Sequence, residues 1–238
     1  MTLAAIRTSK LSRDYGLGRG LFDLDLEVRP QEIFGYLGPS GSGKTTTIRL
    51  LMGMIRPTSG SSHVFGLNCE RDSPAVKRKV GYLPGRMPEF GSMRGKEVVA
   101  YLGGMRGGAH PRFVHSIAER FDLDLNQRSR DYSDGDKQKL GILLAFMHRP
   151  DLIVLDEPTN GLDPLNQREL FSLLEEARGA GATVFMSSNL LSEASRVCER
   201  VAIIRSGRLV RVAATTEAGI EDTLLRNYSE TSAKALGP

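Results

Sequence analysis

No stretch of the 238 residues approaches the roughly 18 consecutive apolar positions that a helix needs to cross a bilayer; the longest candidates, such as Ile142 to Met147, are core-sized. The sequence therefore offers no membrane span of its own. Met1 to Lys10 lacks the basic start, apolar stretch and small-residue cleavage site of a secretory signal, which favours the cytosol. Cysteine is scarce as well. Cys69 and Cys198 stand far apart without metal-ligand spacing, which argues against a disulfide scaffold or a zinc module and leaves two buried small hydrophobes. Charge of one sign is missing too: 32 Lys and Arg face 28 Asp and Glu, all interspersed, so the formal +4 reads as a solvated surface. The densest basic patch, Lys77 to Lys79, has no interleaved aromatics to stack bases, and nucleic acid is not an expected partner. There is no internal repeat and no low-complexity tract. With 40% apolar and 25% charged residues, the chain is an ordinary globular protein of one large domain with room for an inserted lobe.

Hydrophobic period supplies the elements. Leu21 to Val28 alternates as a half-buried strand and ends at Pro30. Ile33 to Leu37 is a short apolar run closed by Gly38, followed by a Gly-rich turn and helical spacing over Thr45 to Met54. Val80 to Leu83 reads as another strand, closed by Pro84 and Gly85. From Gly95 to Met147 the spacing is helical, which predicts a helical lobe. Strands return at Leu152 to Leu155, Thr183 to Met186 and Val201 to Ile204, alternating with helices at Leu165 to Arg178 and Leu190 to Cys198. Such alternation predicts an α/β fold with a mostly parallel sheet covered on both faces. The tail from Ala213 places Ile220, Leu224, Leu225 and Tyr228 on one helical face before a polar end.

Gly38, Pro39, Ser40, Gly41, Ser42, Gly43, Lys44, Thr45 and Thr46 form a complete phosphate-binding loop between a predicted strand and a predicted helix. Glycines at 38, 41 and 43 let backbone N–H groups turn inward around a polyphosphate, and the helix beginning near Lys44 aims its positive dipole end at the same anion. Lys44 is placed to reach the outer phosphates and the Thr45 hydroxyl to hold Mg²⁺. A second half of such a site is an apolar strand ending in carboxylates, and Leu152 to Glu157 supplies it. Asp156 can bind Mg²⁺ through water, while Glu157, expected on the other face of the strand, can polarise an attacking water. Either element alone also has a bland reading, a tight turn in the first case and a buried strand followed by acids in the second.

Between the two elements lies Tyr132, Ser133, Asp134, Gly135, Asp136, Lys137, Gln138; after the second, residues 158–164 read Pro-Thr-Asn-Gly-Leu-Asp-Pro. In order and spacing, over about residues 3 to 212, the chain resembles the nucleotide-binding subunit of an ATP-binding cassette (ABC) transporter. That resemblance implies a P-loop NTPase with an antiparallel β-subdomain near the N-terminus and a helical subdomain inserted at about 86–150, the cassette filling 1–212 and a C-terminal helix and polar tail filling 213–238. It implies ATP and Mg²⁺ as ligands and a head-to-tail dimer with a second nucleotide-binding domain, identical or different. Each ATP would then lie between the phosphate loop of one protomer and the segment of Ser133 and Gly135 in the other. Tyr15 matches the aromatic that stacks on adenine, Asp163 the acid that couples the two sites. The stretch from Pro84 to about Arg106 corresponds to the surface that receives a separate transmembrane permease subunit, placing the chain at the cytoplasmic side of the membrane. Residues 51–60, 81–85 and 190–209 look most like the exporter branch that moves drugs, lipids, peptides or polysaccharides.

Three departures from the family pattern stand out. Gly85 occupies the place of a glutamine that contacts Mg²⁺ and the attacking water. Asn189 replaces a histidine poised against the outer phosphate, and can donate a neutral hydrogen bond but carry no proton. Asp134 and Asp136 replace the glycine and glutamine of Leu-Ser-Gly-Gly-Gln, setting negative charge where a triphosphate docks. The expectation is ATP binding with weakened turnover. The alternative is a nucleotide-gated regulatory dimer with little ATPase activity; a soluble cassette acting on DNA or ribosomes is disfavoured by the lack of a coiled-coil insertion or second cassette in this sequence.

Overall fold

The computed structural model describes residues 3–106 and 108–217. The tail residues Ile220, Leu224, Leu225 and Tyr228 lie outside the described residues. Among the described residues, ten strands and seven α-helices follow one another. They are β1 (Ile6–Asp14), β2 (Gly20–Val28), β3 (Ile33–Leu37), α1 (Lys44–Leu51), β4 (Ser59–Val64), β5 (Leu67–Asn68), α2 (Ser73–Lys79), β6 (Val80–Leu83) and α3 (Gly95–Gly104). There follow α4 (Pro111–Arg120), α5 (Asp134–Phe146), β7 (Leu152–Asp156), α6 (Pro164–Gly179), β8 (Thr183–Ser188), α7 (Leu191–Val197), β9 (Arg200–Arg205) and β10 (Arg208–Ala214).

The main sheet runs β10-β9-β3-β8-β7-β6, parallel throughout except for β10, which returns antiparallel along β9. Its central strands β3, β7 and β8 are buried at every position, because apolar residues occupy both faces. Odd and even positions feed two different cores. Phe34, Tyr36, Val154 and Phe185 point to the side of α1 and the second sheet; Phe34 and Phe185 stack with ring centroids 6.1 Å apart. Ile33, Leu37, Ile153, Leu155, Val184 and Met186 point to the side of α5 and α6. The second sheet, β2-β1-β4-β5, is antiparallel and sits on the α1 side.

The first helix is shorter than its periodicity suggests, ending at Leu51 rather than Met54. Gly53 takes φ +57°, and its N–H bonds Leu50 O (3.0 Å) while the Met54 N–H bonds Arg49 O (2.9 Å), the paired reverse bonds that stop a helix at a left-handed glycine. The stretch 95–147 resolves into α3, α4, a 3₁₀ turn at Ser129–Asp131 and α5. Tyr132 ties these pieces together: it is 4% exposed and its hydroxyl donates to Asp124 O (2.8 Å). Burial, with the Asp124 and Asp136 carboxylates beyond it, pushes that phenol up to about 12. Helix α5 is pressed onto β6, where a Cβ at Gly81 would fall 1.9 Å from Ala145 O.

The consequence for function lies at one edge. Because β3, β8, β7 and β6 are parallel neighbours, their C-terminal ends bring the 38–43 loop, Ser188–Asn189, Asp156–Glu157 and Pro84–Gly85 side by side, the usual place for ligands in an open α/β sheet.

Candidate nucleotide site

The phosphate loop begins where β3 ends. At Gly38 a Cβ would meet Ile204 O at 2.3 Å and Ser42 Oγ at 2.5 Å, so only glycine lets the loop close against β9. Gly41 (φ +78°) and Gly43 (φ +109°) take the left-handed backbone, the second as the N-cap of α1. The Ser42 N–H bonds Pro39 O (3.1 Å) and the Gly207 N–H bonds Ser42 O (2.8 Å), fixing the turn to the β9–β10 hairpin. Ser40 and Gly41 are exposed at its crest, while Ser42 is buried with its Oγ lacking a hydrogen-bond partner among the described residues. Lys44 is folded back and 4% exposed: its Nζ donates to Gly38 O (2.7 Å) and Pro39 O (3.2 Å) and lies 3.3 Å from Glu157 Oε1.

The acidic half faces this loop. Asp156 closes β7, 2% exposed, with Oδ2 accepting from Thr45 Oγ1 (2.8 Å) and Oδ1 from Ser187 Oγ (2.7 Å). Glu157 does not continue the strand onto its other face as alternation suggests; its backbone turns left-handed (φ +49°), a conformation that costs a non-glycine residue on the order of 1 kcal/mol. That turn is held by the Glu157 N–H on Ser187 Oγ (2.9 Å), and it swings the carboxylate to Lys44 and to Asn160 Nδ2 (2.8 Å from Oε2). Gly85 lies against the same acid, since a Cβ there would be 3.1 Å from Asp156 Oδ2. The hard oxygens of Thr45 and Asp156 converge, as a divalent cation with several retained waters needs, so the residues present fit Mg²⁺.

The remaining expected residues sit around this cluster. Asn189 follows β8, in a turn fixed by the Leu190 N–H on Ser188 Oγ (2.9 Å) and by Ser188 Oγ on Glu193 (2.6 Å); Glu193 also accepts from Thr159 Oγ1 (2.8 Å). Tyr15 is 46% exposed, with the Arg13 guanidinium 5.0 Å from its ring centre, in the β1–β2 hairpin whose Gly20 O abuts Gly43. Ser133 N-caps α5 in a reciprocal box: Ser133 Oγ accepts the Asp136 N–H (3.1 Å), and Asp136 Oδ2 takes both the Ser133 N–H (3.2 Å) and its hydroxyl (2.6 Å). Gly135 packs on the loop after Glu157, 3.0 Å from Gly161 O by the same Cβ measure. Asp163 N-caps α6, accepting from Leu165 N and Asn166 N at 2.9 Å each; the Asn166 backbone and side-chain amides hold its carboxyl below the usual range. A cleft of about 790 Å³ opens between these loops, lined by Gly85, Arg86, Glu89, Lys137, Gln138 and Asn160.

Sequence reading thus finds the loop and both acids, and the structure brings 38–46, Gly85, Asp156 and Glu157 into one cluster. Ser133 and Gly135 contact Asp136 and the 160–161 loop instead. No motif in the sequence marks Ser187 or Glu193 as a site residue, and Asn160 carries no role in the 158–164 segment; the one signal for Ser187 is a hydroxyl at the end of an apolar strand.

A glycine-lined strand-to-helix turn, a buried lysine and a strand-end acid bonded to the helix-start threonine define a P-loop nucleotide cassette. The ABC transporter family pattern matches residues 21–160, more than half of the chain. The chain is 34% identical over 208 residues to the bacitracin transport ATP-binding protein BcrA of Bacillus licheniformis, covering 86% of this chain and 68% of that one. It is 33% identical over 218 residues to the daunorubicin/doxorubicin resistance ATP-binding protein DrrA of Streptomyces peucetius, covering 90% and 66%. A solved ATP-binding subunit of an ABC transporter superposes with a TM-score of 0.85 at 25% identity, covering 96% of this chain and 99% of that one. The dimeric post-hydrolysis cassette MJ0796 bound to ADP and Pi matches in fold, with a TM-score of 0.78 at 20% identity over 89% and 99% of the two chains. The chain belongs to the ABC transporter family as an ATP-binding subunit. It spans about two thirds of the length of these two relatives.

Proposed function

We propose that this chain is the ATP-driven motor subunit of an exporter, working as a dimer with a second cassette and docking peripherally on a separate membrane permease. Residues 1–212 serve as the cassette and 86–150 as its helical lobe. The observation that carries the reading is the meeting of the 38–45 loop and Lys44 with Asp156 and Glu157 at one sheet edge. The loop amides and α1 N-terminus bind the polyphosphate, Tyr15 stacks on adenine, and Lys44 exchanges its contact with Glu157 for the outer phosphate. Thr45 and Asp156 would hold Mg²⁺, which when bound would supply charge neutralisation at the phosphate oxygens. Glu157, released from Lys44, orients and deprotonates the attacking water. Binding closes the dimer across Ser133, Gly135 and Asp163, and product release reopens it.

Turnover is weakened in this chain because Gly85 and Asn189 supply neither the side chain nor the proton carrier of the family pattern. A missing positioned acid or base costs ~10² to 10⁴ in rate, about 3 to 5 kcal/mol. Steady-state ATPase measurement of wild type against Asn189→His tests this: slow wild-type hydrolysis raised at least ~10-fold by the substitution is expected, and brisk hydrolysis indifferent to it defeats the idea. The second reading, a dimer gated by nucleotide with little hydrolysis, is favoured by the Ser133 hydroxyl being spent on Asp136. It gains ground if Asn189→His leaves turnover near zero while ATP still drives dimerisation. The compound carried is suggested only by the relatives, named for bacitracin transport and daunorubicin/doxorubicin resistance.

A further inference from the structure

The structure assigns Ser187 as the residue that positions both acids of the nucleotide site, an assignment that rests on the ATP-site reading above. Ser187 stands directly opposite Asp156 in the parallel β7–β8 register. It is fully buried, in a strand whose preceding residues, Val184, Phe185 and Met186, are apolar. Its single hydroxyl is used twice. As donor it takes Asp156 Oδ1 at 2.7 Å, leaving Oδ2 for Thr45; as acceptor it takes the Glu157 N–H at 2.9 Å. The first bond orients one carboxylate toward the helix-start threonine, where Mg²⁺ would sit. The second pins the left-handed Glu157 backbone and so directs the other carboxylate to Lys44. Outer-shell hydroxyls of this kind set the orientation of metal ligands, and their removal costs ~10 to 100-fold in metal affinity or activity.

A buried serine that only satisfies its neighbours would affect stability and spare the coupling between nucleotide and metal. Calorimetry of ATP binding with saturating Mg²⁺ and in EDTA, on wild type, Ser187→Ala, Ser187→Cys and Ser187→Thr, separates the two. The expected result is that Ala and Cys bind ATP in EDTA within about 2-fold of wild type but lose at least ~10-fold of the gain that Mg²⁺ confers, and that kcat falls by a similar factor. Thr, which keeps the hydroxyl, restores the gain to within about 3-fold. Should Ala fail to fold, Cys carries the same expectation at nearly the same volume. Retention of the Mg²⁺ gain and kcat by Ala or Cys overturns the assignment, as does an equal loss in EDTA and Mg²⁺ accompanied by a lower Tm. A wild type that binds no ATP in either buffer overturns the underlying nucleotide-site reading instead, and is recognised before any variant is measured.

Discussion

Lys44 Nζ lies 3.3 Å from Glu157 Oε1, so the lysine of the loop and the acid that follows β7 neutralise one another. The lysine's other contacts, to Gly38 O and Pro39 O, keep the ammonium low in the loop. On the proposed reading a triphosphate would have to win Lys44 from a carboxylate, and winning it would free Glu157 for water. Arrival of substrate and arming of the base would then be one event.

Removing either partner should separate binding from chemistry. Lys44→Met is expected to weaken Mg·ATP affinity by at least ~10²-fold, since the one charge-assisted side-chain contact proposed to the outer phosphate is lost. Glu157→Gln keeps the size of the side chain and removes its charge. It is expected to bind ATP slightly more tightly than wild type, because Lys44 is no longer contested, while hydrolysis drops ~10² to 10⁴-fold. Calorimetry and phosphate release on the same preparations check both; a Glu157→Gln protein that hydrolyses at the wild-type rate removes Glu157 from the mechanism.

Asp136 is expected to set stability against closure. Its carboxylate completes the cap of α5 by holding the Ser133 N–H and hydroxyl, and Lys139 lies 3.7 Å from its other oxygen. Asp136→Ala opens that box and should cost about 1 kcal/mol of folding stability in urea titration. The same change frees the Ser133 hydroxyl and removes a negative charge from the end of α5, so ATP-driven dimerisation measured in a Glu157→Gln background should strengthen. The two effects have opposite signs. Weaker dimerisation alongside lower stability would mean that Asp136 serves the helix cap alone.

How far the sequence discloses this molecule depends on where each element finds its stabilisation. β3 and β6 begin and end where their apolar runs do, because flanking glycine or proline stops them and both faces are buried. β1 and β4 are not legible from pattern: IRTSKLSRD and SGSSHV have no clean period, β1 carries irregular register near Lys10 (φ +44°), and pairing with neighbours distant in sequence holds both. β10 is equally illegible, being an edge strand held by its pairing with β9. In the site, the loop and acids are contiguous in sequence and therefore legible. The Ser187 bridge exists only through cross-strand register, 31 residues from Asp156, and no local pattern announces it.

His148 is expected to make stability depend on mild acid. It sits after α5 with Nε2 3.2 Å from Arg106 Nη1, which also donates to Val80 O (2.7 Å), and its Nδ1 is buried with no partner among the described residues. Burial, then the Arg106 charge, pushes its pKa from 6.5 down to about 4. The unfolded chain thus takes up a proton near pH 6.5 while the folded chain resists until about pH 4. Between those values the unfolded state binds more protons, so stability falls as pH falls, and the loss levels off below about pH 4. The full shift corresponds to about 3 kcal/mol, and partial solvent access reduces it to about 1–2 kcal/mol. Urea titrations of wild type and His148→Gln at pH 7, 5.5 and 4 check this. The variant should lack that share of the pH dependence, and parallel curves for the two proteins would show that His148 is protonated as readily in the folded chain as in the unfolded one.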